Sequence, residues 1–162
     1  MKWLLVLLMA CDAPSPATYG AHTTMLTFAR GGCYGSCPIY SVRVFRDGQV
    51  SVVGTMFVKT QGEVTGTLTD AQLDQLDHLF ATHPIPSKDF VRYDVTDDAS
   101  AQFAYASPQG ALTSVQHYFG DQSSPAGLKA IEDGIDRIIG IEKYIGTEAE
   151  RQAAEKERTS TR

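Results

Sequence analysis

Between residues 24 and 119 the apolar positions recur mostly every second residue, the period of a strand with one buried face. Leu26 and Phe28 share a face within Thr24–Arg30, and Tyr40, Val42 and Val44 alternate with Ser41, Arg43 and Phe45. Val50 and Val52 follow the Asp47-Gly48 turn pair. A two-residue turn there pairs Phe45 with Val50 and sets Val44 against Ser51. A three-residue Arg46-Asp47-Gly48 loop instead pairs Val44 with Val50 and Val42 with Val52, which keeps one apolar face continuous with Tyr40. The pattern therefore predicts the three-residue loop, with Gly48 left-handed in a bulge. Met56 to Lys59 and Gly62 to Leu68 read as the next hairpin. Gln102 to Ser107 and Leu112 to Phe119 read as another, around Pro108-Gln109-Gly110.

Twice the period lengthens to that of an amphipathic helix. Thr69 and Gln72 have capping-box spacing and Leu68 can staple to Leu73. Leu73, Leu76, Leu79 and Phe80 then form one stripe, which Pro84 and Pro86 end. Ser124 reads as the cap of a second helix with Pro125 in its first turn. Leu128, Ile131, Ile135, Ile138 and Ile139 form its stripe, and Gly140 closes it. Both stripes read as core faces. Together the elements predict an α+β domain over residues 23–146: an antiparallel sheet of about five to seven strands with two helices packed on one face. Residues 147–162 are charged and alanine-rich without an apolar stripe, and read as a frayed helix or a disordered tail.

The pattern before residue 23 is of another kind. Lys2 precedes the unbroken apolar run Trp3–Met9, which is far shorter than the ~20 residues a bilayer span needs. Leu8-Met9-Ala10-Cys11 follows, resembling a lipobox, where the chain is cut before a cysteine that is then acylated. Residues 1–10 thus read as a lipoprotein signal peptide, Cys11 as the lipidated residue, and 11–22, with Pro14 and Pro16, as an extended linker. The expected address is the bacterial envelope, with the domain facing the periplasm or the cell exterior and the membrane as its first partner through Cys11.

Charge and cysteines narrow the reading. The formal charge is −5, which argues against nucleic acid as a partner. Of the three cysteines, lipidation of Cys11 leaves Cys33 and Cys37. In an oxidising compartment that pair is read first as a disulfide; a redox pair and part of a metal site are the alternatives. Gly31, Gly32, Gly35 and Pro38 exclude a regular helix there, so a bridge would staple a tight loop with Tyr34 at its tip.

The run Gly31-Gly32-Cys33-Tyr34-Gly35-Ser36-Cys37-Pro38-Ile39-Tyr40 resembles the signature of domain-of-unknown-function family 6438, found in bacterial lipoproteins and secreted proteins. Val42 with Asp47-Gly48, Val95-Thr96-Asp97 and His117-Tyr118-Phe119-Gly120 resemble further pieces of it, over roughly residues 24 to 140. The resemblance implies an architecture and a set of positions to watch rather than a reaction.

Those positions are Tyr34, Asp97, His117 and Tyr118, the candidate binding residues. His117 falls on the packed face of Phe103 and Val115, where Asp94, Asp97 or Asp98 could satisfy it by a hydrogen bond. No catalytic residue, metal ligand set or cofactor box is evident, and His22, His78 and His83 read as surface residues. Two functions follow. The first is a lipid-anchored, non-enzymatic envelope module binding a protein, peptide or glycan. The second is a thiol- or metal-dependent periplasmic enzyme using Cys33, Cys37 and His117.

Overall fold

The structure is a computed structural model that describes residues 22–160. The expected signal peptide, lipidated Cys11 and linker, except His22 at its end, fall outside the described residues. The chain forms β1 (Thr24–Arg30), β2 (Ile39–Phe45), β3 (Gln49–Met56), β4 (Gly62–Thr67), α1 (Asp70–Thr82), β5 (Ser100–Ala106), β6 (Leu112–Tyr118), α2 (Ala126–Ile139), α3 (Glu142–Ile145) and α4 (Glu148–Ser160). Six strands make one antiparallel sheet in the order β4-β3-β2-β1-β5-β6. The first four strands step outward from β1 as a meander, and α1 carries the chain back so that β5 and β6 extend the sheet on the other side of β1.

The β2–β3 hairpin has the three-residue loop. Val44 opposes Val50, Val42 opposes Val52, and Gly48 is left-handed at φ 84°. A side chain at Gly48 would also press on the Leu68 carbonyl, 2.7 Å from its Cβ. The next hairpin differs from the pattern-based expectation. β3 runs unbroken to Met56 and pairs with β4 directly, while residues 57–61 form the connection and Val58 turns into the core. The Met56–Lys59 stretch reads as a strand because Phe57 and Val58 favour strands, but its one buried apolar side chain, Val58, belongs to a loop.

Both helices lie on one face of the sheet. Thr69 and Gln72 form the expected capping box on α1. α1 lays Phe80 flat on Tyr105, with ring centroids 4.0 Å apart. α2 buries Leu128, Ile131, Ile135 and Ile139, each contributing about 1.5–3 kcal/mol of burial. Gly140 closes α2 in the left-handed region at φ 68°. Its N-cap is Pro125 with no side-chain cap bond, rather than Ser124. The two helices meet where Gln72 donates to the Ile138 carbonyl at 2.7 Å and Leu79 packs against Gly134.

Each helix is also pinned to the sheet by one aspartate held between an arginine and a tyrosine. On α1, Asp77 accepts from Arg46 at 2.7 and 2.9 Å and from the Tyr105 hydroxyl at 2.6 Å. On α2, Asp136 accepts from Arg30 at 2.8 and 3.1 Å and from the Tyr40 hydroxyl at 2.5 Å. The segment 147–162 is helical over Glu148–Ser160. It buries no side chain and is tied down by Lys59 to Glu150 at 2.5 Å and by Arg158 donating to the Val58 carbonyl at 2.9 Å. Among the described residues no helix is long and apolar enough to cross a membrane.

Candidate functional site

Cys33 and Cys37 are joined by a disulfide, with Cα atoms 5.7 Å apart. The glycines let this loop turn tightly, and the Tyr34 ring at its tip is 88 % exposed. The Tyr34 amide donates to the Asp97 carbonyl at 3.0 Å, and Asp97 itself is left-handed at φ 66°. One residue on, the Asp98 amide donates to the Tyr118 hydroxyl at 3.0 Å, and the Tyr118 ring packs against Tyr93. Three of the four positions singled out in the sequence, Tyr34, Asp97 and Tyr118, therefore meet at one end of the sheet.

His117 does not join them. Adjacent strand residues point to opposite faces, so His117 turns under the helices, where it is 4 % exposed. Its partner is not one of the loop aspartates: Nδ1 lies 2.8 Å from Oε1 of Glu132, a fully buried residue of α2. α2 crosses the covered face and brings Glu132 to the ring, whereas Asp98 and Asp121 act on it only by longer-range attraction. Arg30 stands beside the pair, with its guanidinium 3.7 Å from Glu132 Oε2 and 2.9 Å from Asp133. Burial pushes the Glu132 carboxyl up to about 8, against the pull of Arg30. Burial likewise pushes His117 below its ordinary 6.5, helped by Arg30. The Asp136 carboxyl is also raised by burial, which outweighs Arg30 and Tyr40. Glu132 and His117 thus share one proton near neutrality, and the cluster locks α2 onto the sheet. His22 and His78 are exposed, and His83 is half-buried with its ring nitrogen 2.9 Å from the Leu79 carbonyl.

Sequence reasoning missed Glu132, Arg30 and Asp136, yet the signal was present. Glu132 and Asp136 sit four and eight residues after Leu128, inside the apolar stripe, and Arg30 continues the inward alternation of Leu26 and Phe28. Charged residues at inward positions announce a buried ionic cluster.

The opposite face of the sheet is uncovered by any described element. It carries a trough of about 470 Å³ whose lining comes from all six strands and from Asp89, within the ~300–1,000 Å³ range of small-molecule sites. A second recess of about 590 Å³ shares Ala29, Ser41, Gln102 and Gln116 with it and runs on to Val91, Tyr93 and Tyr118. Hydroxyl and amide side chains dominate: Thr27, Ser41, Ser51, Gln102, Ser114 and Gln116. In the middle, on β2, the exposed Arg43 guanidinium has no hydrogen bond or ion pair among the described residues. Glu63 accepts from the Ser51 hydroxyl at 2.6 Å, and Asp89 accepts from the Gln116 amide at 2.8 Å. Among the described residues no group of three or more His, Cys, Asp or Glu side chains is placed to hold a metal ion.

A family model described as a domain of unknown function (DUF6438) matches residues 24–139, from β1 to the end of α2. No curated protein matches the chain.

Proposed function

The chain belongs to the DUF6438 family, a domain of unknown function, and from that premise we propose that it is a lipid-anchored module of the bacterial cell envelope whose uncovered sheet face binds a ligand without transforming it. The anchor reading rests on Trp3–Met9 leading straight into Cys11. Two or three acyl chains on that cysteine would make the tether effectively permanent, since a single chain of ~0.8 kcal/mol per buried methylene binds only marginally. The membrane is then one partner, and an envelope protein, peptide or glycan is the other.

The observation that carries the binding reading is the polar trough spanning the sheet. A sheet face with no role in the core and with no helix over it is free to vary for recognition. The perturbed groups, His117 and Glu132, are on the other side and closed off, and the two thiols are joined to each other.

Two experiments test the parts separately. Cys11→Ala should release the protein from the membrane fraction; unchanged fractionation would remove the anchor. A photo-reactive residue placed at Ser41 or Ser114 of the full chain in cells should give cross-linked adducts. The same residue at Arg137, on the outer side of α2, should not. Equal yields at all three positions would show that the open face is not the binding surface.

A further inference from the structure

We infer that the trough is a saccharide site that selects a carboxylate-bearing sugar, with Arg43 as the group that grips the carboxylate; this rests on the open face being the binding surface. Arg43 is the starting point. Arg30, Arg46, Arg92, Arg151 and Arg158 all donate to a carboxylate or a carbonyl; Arg137, exposed on α2, donates to neither but lies on the helix side of the sheet, away from the trough. Arg43 alone stands in the trough, on a central strand of an acidic chain, with its fork unused. A planar guanidinium carried on a central strand and lining a concave surface can bind a carboxylate through two parallel bonds.

What surrounds Arg43 decides what carries the carboxylate. Thr27, Ser41 and Ser51 are the hydroxyls nearest to it by strand register, and Gln102 and Gln116 add amides that both donate and accept. Glu63 and Asp89, each holding one donor already, keep further lone pairs to accept from ligand hydroxyls. Many short groups of mixed donor and acceptor character over a wide, shallow face suit a ring bearing several hydroxyls. The two acids at the sides disfavour a polyanion. An extended peptide finds little here: the backbone of the face is already paired in the ladder, so strand addition is unavailable. The largest apolar side chain lining the trough by its exposed surface is Val53, so no deep pocket receives an apolar anchor. At the far end, the Tyr93 and Tyr118 rings, 4.6 Å apart, offer an aromatic surface to the C–H face of a further sugar unit.

The test is a glycan array probed with the full chain. It should contain uronic, muramic and sialic acid glycans, each beside its carboxyl-reduced neutral counterpart. Binding should concentrate on the carboxylated members and fall about ten- to a hundred-fold on reduction, the loss of a hydrogen-bonded charge pair. Arg43→Gln should cost a similar factor on acidic members and none on neutral ones, with an unchanged melting temperature, and Arg43→Lys should recover part of it. Equal binding of acidic and neutral members, no effect of Arg43→Gln, or no bound saccharide would each overturn the inference. The photo-reactive probe at Ser41 and Ser114 separates the two failures. Adducts to a protein or peptide leave the open face as the binding surface and remove the sugar, whereas no adduct removes both.

Discussion

Replacing Glu132 by glutamine isolates the proton that the buried pair holds. In the unfolded chain the glutamate titrates at 4.5 and the histidine at 6.5, so between these values the two hold one proton, on His117. The folded pair also holds one proton, because burial raises Glu132 to about 8 and lowers His117. Within that window pH has no leverage through the pair. Above 6.5 the unfolded chain has released its proton and the fold still keeps one, so stability falls as pH rises through the folded value of Glu132. At about 1.36 kcal/mol per pH unit, the interval from 6.5 to about 8 costs about 2 kcal/mol. Below 4.5 the sign reverses: the unfolded chain takes up a second proton that the buried histidine resists, and stability falls as pH falls.

Glu132→Gln keeps the shape and can still donate to His117 Nδ1, but it does not titrate. The stability of the variant relative to the natural protein should therefore improve by about 2 kcal/mol between pH 6.5 and pH 8. Urea unfolding followed by circular dichroism, at intervals from about pH 6 to about pH 8.5, reads this as a shift of about 1 M in the relative midpoints, given m-values of about 1–3 kcal/mol/M. All other titrating groups are common to both proteins and cancel. A difference that stays constant over the interval would refute the reasoning. It would mean that the carboxylate is already ionised beneath the helices, with Arg30 compensating it from 3.7 Å.

Arg30→Met should destabilise by up to about 3–5 kcal/mol in the same unfolding assay, since it leaves the part-buried Asp136 carboxylate without its cationic partner; adding Asp136→Leu should restore part of the loss. Gly48→Ala should lower the melting temperature by an amount equivalent to about 1–2 kcal/mol, because φ 84° is costly for alanine and its Cβ would meet the Leu68 carbonyl at 2.7 Å. Cys33→Ala with Cys37→Ala should leave a folded protein weakened by about 2 kcal/mol, since the bridged loop is short; an unfolded circular dichroism spectrum would show that the bridge is needed for folding itself.

Much of the sheet was legible because its signals are local. The β2–β3 register follows from two inward valine pairs and tyrosine alternation around a glycine that must turn left-handed, and all of these lie within the 13 residues from Tyr40 to Val52. The start of α1 follows from Thr69 and Gln72 for the same reason. The strand order was not legible: that β1 sits between β2 and β5 depends on Phe28 meeting both Val42 and Phe103. The polar cluster was half legible. Inward charges at Arg30, Glu132 and Asp136 follow from periodicity, but that Arg30 reaches a residue 106 positions later is a property of the packed helix. The candidate residues were read as one group because they carry chemistry, whereas the pleat sends His117 and Tyr118 to opposite sides.

That separation decides how the site is to be understood. Strongly perturbed groups often mark functional sites, since burial and nearby charge are how a site tunes its acids and bases. Here the same physics arises from docking a helix. The fully buried stripe Leu128, Ile131, Ile135 and Ile139 fixes the depth of α2, and the polar residues that fix its register must then be paired or protonated where they stand. Asp77 with Arg46 and Tyr105 repeats the arrangement under α1, and a motif used once for each helix is explained by what the helices share, which is attachment to the sheet. Recognition instead needs a group that the fold leaves unsatisfied and accessible. On this molecule that criterion selects Arg43, unpaired in the open trough, and passes over Glu132, which is closed off beneath α2.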